Sequence, residues 1–307
     1  MHVPNAARRC VIFIGDLTDR GVFRPRATGF LVAVPLDDYP LSVPYLVTAE
    51  HVVVMLAQAG RDLYCRINHR DGSAAVERLT VSHWWSHPDA EREPTDVAVA
   101  PVHLNWDVVD HDCIPMPATL ETTPGPGRRA IGLGDETFAI GLFKNRAGRE
   151  RNIPIVRLGS IAALPGEPIY SKWGDVSAYL VEMRSIAGLS GSPVFVNYHT
   201  NADPIALRAH SESDPRPTMP DPEEIDWFRY RFLGLIHGHF DIQNLAEDTV
   251  MDDADVATGG GINTGIGVVI PGGKVIETLY QPELHEERRQ LAARFIKEKA
   301  ATPDDAI

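Results

Sequence analysis

Gly188-Leu189-Ser190-Gly191-Ser192-Pro193-Val194-Phe195 is the stretch on which the reading of this chain turns. A serine stands between two glycines, and an apolar run follows at once. A serine hydroxyl is a poor nucleophile until a base takes its proton. Flanking glycines let the chain turn tightly and present the hydroxyl. The backbone N–H groups of Gly188 and Ser190 then become candidates for facing a developing oxyanion. A Gly/Ser-rich hairpin turn without chemistry fits the same eight residues, so the rest of the chain has to decide.

Two further segments bear on that choice. Tyr45-Leu46-Val47-Thr48-Ala49-Glu50-His51-Val52-Val53 carries a histidine just past a buried strand, at the start of a helical turn. Pro94-Thr95-Asp96-Val97-Ala98-Val99-Ala100 carries an aspartate at the head of another apolar strand. A carboxylate placed there can hold an imidazole in one tautomer and stabilise its protonated form. Taken singly, His51 also reads as a surface helix residue and Asp96 as a strand cap.

Outward from these motifs the chain alternates short apolar segments with turn residues. Six lie in the first half, at 10–14, 28–34, 45–47, 63–68, 78–84 and 96–102. Six more lie at 136–142, 154–163, 177–183, 192–196, 231–239 and 265–270. They are rich in Val, Ile, Phe and Tyr, as strands prefer. The 24 prolines and 25 glycines argue against a helix-dominated fold. The pattern predicts an all-β protein of two six-stranded units joined by a turn-rich connection at 119–129. Residues 199–226, with several prolines and acidic groups, read as a solvated loop. A charged stretch at 283–301 carries Leu284, Leu291, Phe295 and Ile296 near helical spacing, between Pro282 and Pro303. It reads as a C-terminal amphipathic helix docked on its own chain.

Together the motifs resemble the chymotrypsin-like (trypsin-like) serine peptidases, nearest to bacterial HtrA-type and glutamyl-endopeptidase-type protease domains without PDZ. They come in that family's order, His then Asp then Ser. Ala27-Thr28-Gly29-Phe30-Leu31-Val32 is similar to the strand leading toward the histidine. Gly134-Asp135-Glu136-Thr137-Phe138-Ala139-Ile140-Gly141 is similar to the opening of the second barrel. Phe232-Leu233-Gly234-Leu235-Ile236-His237 is similar to the strand beside the substrate, and Gly265-Ile266-Gly267-Val268-Val269-Ile270-Pro271 to the closing strand. The resemblance implies two six-stranded antiparallel β-barrels, at residues 1–118 and 119–275, with a helical tail at 276–307. It implies a His51/Asp96/Ser190 triad between them and an oxyanion hole from Gly188 and Ser190. It also implies that the backbone at 237–239 pairs with an extended substrate strand.

Several positions depart from the family's pattern. Glu50 stands where alanine usually precedes the histidine, and is expected to point to solvent. Leu189 precedes the serine where digestive members carry aspartate, so activation through a newly cut N-terminus is not expected. Arg184, six residues before Ser190, corresponds to the base of the primary pocket, and His237 and His239 lie on the flanking strand. These three are the substrate-pocket candidates, and their charge favours an acidic residue before the scissile bond. The family's pocket histidine falls where Ile236 stands, which displaces His237 by one. His83 and His87 read as a strand end. For a zinc site at His237 and His239 the sequence offers no third ligand.

Composition excludes several classes. With 29 basic and 42 acidic residues the net charge is −13, which disfavours nucleic acid or an anionic membrane as the main partner. No apolar run is long enough to span a bilayer. The first residues lack the apolar stretch of a secretory leader, so a cytoplasmic location is expected. Cys10, Cys65 and Cys113 are far apart and without CxxC spacing, against a disulfide framework. The expected function is serine endopeptidase action on protein or peptide, with neither metal nor organic cofactor. The alternative is a catalytically silent or regulated trypsin-like fold that binds protein.

Overall fold

A computed structural model describes residues 3–36, 39–79, 83–90, 92–116, 130–171, 174–183, 188–197, 230–241, 250–251 and 263–301. The expected connection at 119–129 and loop at 199–226 lie outside the described residues. A short helix α1 (Asn5–Arg9) leads into β1 (Val11–Leu17), followed by β2 (Phe23–Leu36), β3 (Tyr39–Thr48), α2 (Glu50–Gln58), β4 (Tyr64–Asn68), β5 (Ala74–Arg78), β6 (Trp85–Ser86), β7 (Ala98–Pro101) and β8 (Ile114–Pro115). These eight strands form one sheet, ordered β5-β4-β1-β2-β3-β7-β6. Beyond Phe30, where β1 runs out, β8 pairs in parallel with Val32 and Ala33 of β2.

The second sheet comprises β9 (Glu136–Gly141), β10 (Ile155–Ala163), β11 (Ile169–Ser171), β12 (Gly174–Val176), β13 (Tyr179–Glu182), β14 (Pro193–Asn197), β15 (Tyr230–Asp241), β16 (Val250–Met251) and β17 (Asn263–Pro271). Pairing runs β15-β14-β9-β10-β13-β17, and β17 pairs back onto β15. Six strands therefore close into a barrel. The strands β16, β11 and β12 extend the sheet from β15, with a parallel step between β11 and β16.

Two six-stranded antiparallel barrels were expected; the second sheet forms one of them, and closure of the first sheet is not seen among the described residues. The first sheet has eight strands, and its end strands β5 and β6 have no closing pair among the described residues. Here β6 is two residues long, while β5 ends on exposed Val76, Glu77 and Arg78. Of the described residues in the predicted segment at 78–84, only Arg78 falls in a strand.

Side chains from both sheets meet in one core. Phe30 of β2 packs on Phe232 of β15, ring centroids 5.4 Å apart, and Phe138 stacks on Phe195 at 5.0 Å. All four are fully buried. Each contributes about 1.5–3 kcal/mol of apolar burial. Polar ties reinforce the junction. Arg66 Nε donates to Asn152 Oδ1 at 2.6 Å, and the Asn152 N–H donates to Asn68 Oδ1 at 2.7 Å.

The chain leaves β17 directly into α3 (Gly272–Leu279), which sequence reasoning missed, and then α4 (Pro282–Ala301), which begins one residue before the predicted helix. The helix α3 grips the first sheet. Glu277 Oε2 pairs with the buried His87 ring at 2.8 Å, and Lys274 Nζ donates to Glu93 at 3.0 Å. In α4, Leu284 is buried, and the Arg288 guanidinium donates to the Tyr45 hydroxyl at 3.1 Å and the Leu279 carbonyl at 2.8 Å. The tail thus docks on its own chain.

Candidate active site

The pairing of β3 with β7 sets Thr48 opposite Ala98. Antiparallel continuation places residues just after Thr48 beside those just before Ala98, which brings His51 and Asp96 together. His51 occupies the second position of α2, where a backbone N–H has no partner within the helix. Asp96 Oδ1 accepts that N–H at 2.8 Å. Its other oxygen, Oδ2, accepts from His51 Nδ1 at 2.7 Å. One carboxylate therefore fixes both the main chain and the ring of His51, leaving Nε2 as the basic nitrogen.

A second imidazole shares that oxygen. His237 Nδ1 lies 2.5 Å from Asp96 Oδ2, and the two rings meet edge-on with centroids 5.7 Å apart. Burial alone would raise the Asp96 carboxyl, but the two histidines outweigh it and hold the group well below the carboxylate range. Ionised Asp96 can only accept, so both Nδ1 atoms carry protons. His51, Asp96, His237 and Ser190 are all at most 5% exposed.

His237 reaches this position through a bulge. In the β15–β17 ladder Ile236 pairs with Val269 and Gly238 with Val268, so His237 is the extra residue. A bulge re-aims a side chain relative to simple alternation. The sequence made His237 a pocket candidate displaced by one from the family's pocket histidine, and its ring lies on Asp96. His239 is buried, and Arg184 lies outside the described residues. His239 pairs with Gly267 on one side and Met251 on the other. The short strand β16 therefore takes the edge at His239 that was expected to face substrate.

The turn that carries Ser190 is held by Thr28, a buried polar residue in an otherwise apolar stretch of β2. Its Oγ1 donates to the Gly188 carbonyl at 2.7 Å and accepts from the Leu142 N–H at 2.9 Å. Its N–H donates to the Ser190 carbonyl at 3.0 Å. The Ser192 N–H donates to the Leu189 carbonyl at 2.8 Å, which sets the plane of the peptide ending in the Ser190 N–H. Gly188 and Gly191 have φ of 103° and 78°. A Cβ at Gly191 would stand 2.2 Å from the Thr28 carbonyl oxygen, so glycine is required twice over. The Ser190 hydroxyl donates to the His237 carbonyl at 3.3 Å.

Glu50 does not face solvent freely. It is half-buried, and its Oε1 accepts from the Ser86 hydroxyl at 2.5 Å. Burial pushes its carboxyl above the usual range, nearby Asp96 adds to this, and the Ser86 bond opposes it. Beside it a cavity of about 170 Å³ is lined by Glu50, His51, Val54, Pro94, Thr95 and Asp96, among others.

One ligand atom from each of His51, Asp96 and His237 lies within 4.8 Å of the others, the donor set of a possible metal site. The two N···O separations of 2.7 and 2.5 Å are those of hydrogen bonds. Ligands at about 2.1 Å around a tetrahedral zinc ion stand some 3 Å or more apart. The cluster fits protons better than an ion.

No family model matches the chain, and no curated protein does. Its structural neighbours are trypsin-like serine protease domains. The MamO protease domain from Magnetospirillum magneticum is 12% identical over 89% of this chain and 96% of that one, with a TM-score of 0.49. Deg5 is 12% identical over 88% and 87%, with a TM-score of 0.46. The active form of the Rv3671c protease from M. tuberculosis is 17% identical over 89% and 81%, with a TM-score of 0.41. No helix among the described residues is long and apolar enough to cross a membrane.

Proposed function

We propose that the protein is a serine endopeptidase hydrolysing peptide bonds in a protein or peptide substrate. The observation that carries this reading is the double grip of Asp96 on His51, through the main-chain N–H at 2.8 Å and Nδ1 at 2.7 Å. That arrangement suits a base that must accept a proton at Nε2 while its other nitrogen is neutralised by a buried anion.

Ser190 Oγ attacks the scissile carbonyl carbon as its proton passes to His51 Nε2. The N–H groups of Gly188 and Ser190 receive the oxyanion. Collapse expels the amine, which takes the proton back from His51, and leaves an ester on Ser190. Water, deprotonated by His51, then hydrolyses the ester. For attack the hydroxyl must first leave the His237 carbonyl. That carbonyl then becomes an acceptor for a substrate N–H, in the gap on β15 between the partners β14 and β16. With the His237 ring engaged by Asp96, an acidic preference would rest on Arg184 and His239.

The test is labelling with a serine-directed fluorophosphonate. Stoichiometric labelling is expected and should vanish in Ser190→Ala; a wild-type chain that stays unlabelled across pH 6–9 would refute the reading. A silent, protein-binding role is the second reading. It is favoured by the Ser190 hydroxyl resting on the His237 carbonyl and by β16 on the strand edge.

A further inference from the structure

We propose that His237 is a positioning residue that couples its own protonation to that of His51 through the single oxygen they share. The inference rests on the peptidase reading only for its effect on rate; the coupling itself follows from the cluster. His237 touches the site twice, by its ring on Asp96 Oδ2 and by its carbonyl on the Ser190 hydroxyl. Its bulged place in β15 is what allows both contacts.

Titratable groups of several elements lie about the His237 ring. Asp96 approaches from the chain leading into β7, and His51 from α2. Glu50 stands next to His51, with its carboxyl set against Ser86. From β17 the register neighbours are Val268 and Val269, which carry no charge. Among the described residues, no cation other than the two imidazoles lies on Asp96.

With His237 neutral, a proton arriving on His51 Nε2 completes one imidazolium against one carboxylate, and the cluster is uncharged. With His237 already protonated, the same event gives two cations on one anion. Two charges 5.7 Å apart at an effective dielectric of about 20 make His51 roughly a hundredfold weaker as a base. A proton on His51 removes the base and a charge on His237 weakens it, which is the coupling proposed for the two rings.

The experiment is the NMR titration of the ¹⁵N-labelled imidazoles in the full chain, with His51 and His237 assigned by single substitution. Wild type should show both rings protonated on Nδ1, with His51 responding in two steps. His237→Asn keeps an N–H donor to Asp96 but removes the second titrating ring; His51 should then titrate in a single step. His237→Ala removes the donor altogether, leaving Asp96 freer to attract a proton onto His51, whose single step should move to higher pH by about one unit. Fluorophosphonate labelling rates should follow, with the acid limb moving to lower pH in the Asn variant and to higher pH in the Ala variant. A merely structural His237 would lower rates equally at all pH. Identical His51 titrations in all three proteins would overturn the proposal. An unlabelled wild type whose His51 still titrates in two steps would refute the peptidase reading and uphold this one.

Discussion

Replacing Asp96 with Asn tests the site most directly, because three donors converge on that carboxylate. Oδ1 takes the His51 main-chain N–H, and Oδ2 takes Nδ1–H from both His51 and His237. An amide offers one oxygen and one NH2. If its oxygen keeps the main-chain bond, its NH2 faces two N–H groups, and His51 must move its proton to Nε2. The ring then presents a donor to Ser190 where it needs an acceptor. If the amide is flipped, the His51 N–H loses its partner instead. In either orientation the anion that offsets the imidazolium is gone. The expected loss in kcat is about four orders of magnitude, or ~5.4 kcal/mol of transition-state stabilisation. The assay is the fluorophosphonate labelling rate at pH 8, measured against Ser190→Ala as the blank, with thermal melting to show that the variant is folded. A folded Asp96→Asn that labels within tenfold of wild type would refute the reasoning.

Two further outcomes follow from other positions. Thr28→Val keeps the shape of the side chain but removes the hydroxyl that Gly188 and Leu142 share; leaving those buried groups unpaired should cost about 2–3 kcal/mol by denaturant unfolding, with labelling falling more steeply than melting temperature. The Asp16 carboxyl, against burial, is drawn down to about 2 by hydrogen bonds from Arg24 and Arg26, so its contribution is complete above about pH 4 and lost as pH falls through 2. Denaturant titrations should show a decline over that window that Asp16→Asn flattens, by at most about 2 kcal/mol given the half-exposed arginines.

What the sequence disclosed, and what it withheld, has physical causes. The His51–Asp96 pairing was legible because each lies at the end of an apolar run, and antiparallel registry brings such ends together. The tight turn around Ser190 was legible because positive φ at Gly188 and Gly191 demands glycine. The place of His237 was hidden by a bulge, which breaks the alternation that sequence patterns rely on. Thr28 left one faint signal, a lone hydroxyl in the run Ala27–Val32 whose partners lie far along the chain. The strands β6, β8 and β16 are two residues long and have no periodicity to detect. The helix α3 opens on Gly272-Gly273, which reads as a break, yet it is held by tertiary contacts of Val275, Thr278 and Leu279.

The grip of α3 on residues 87–93 imposes an order on biosynthesis. Every member of the His51/Asp96/Ser190 set is translated before Lys274 and Glu277, which secure the segment leading to Asp96. From Ser190 to Lys274 is roughly 80 residues, on the order of 4–16 s of elongation at common rates. Throughout that interval the emerging polypeptide carries these three residues without the fastening on the segment leading to Asp96.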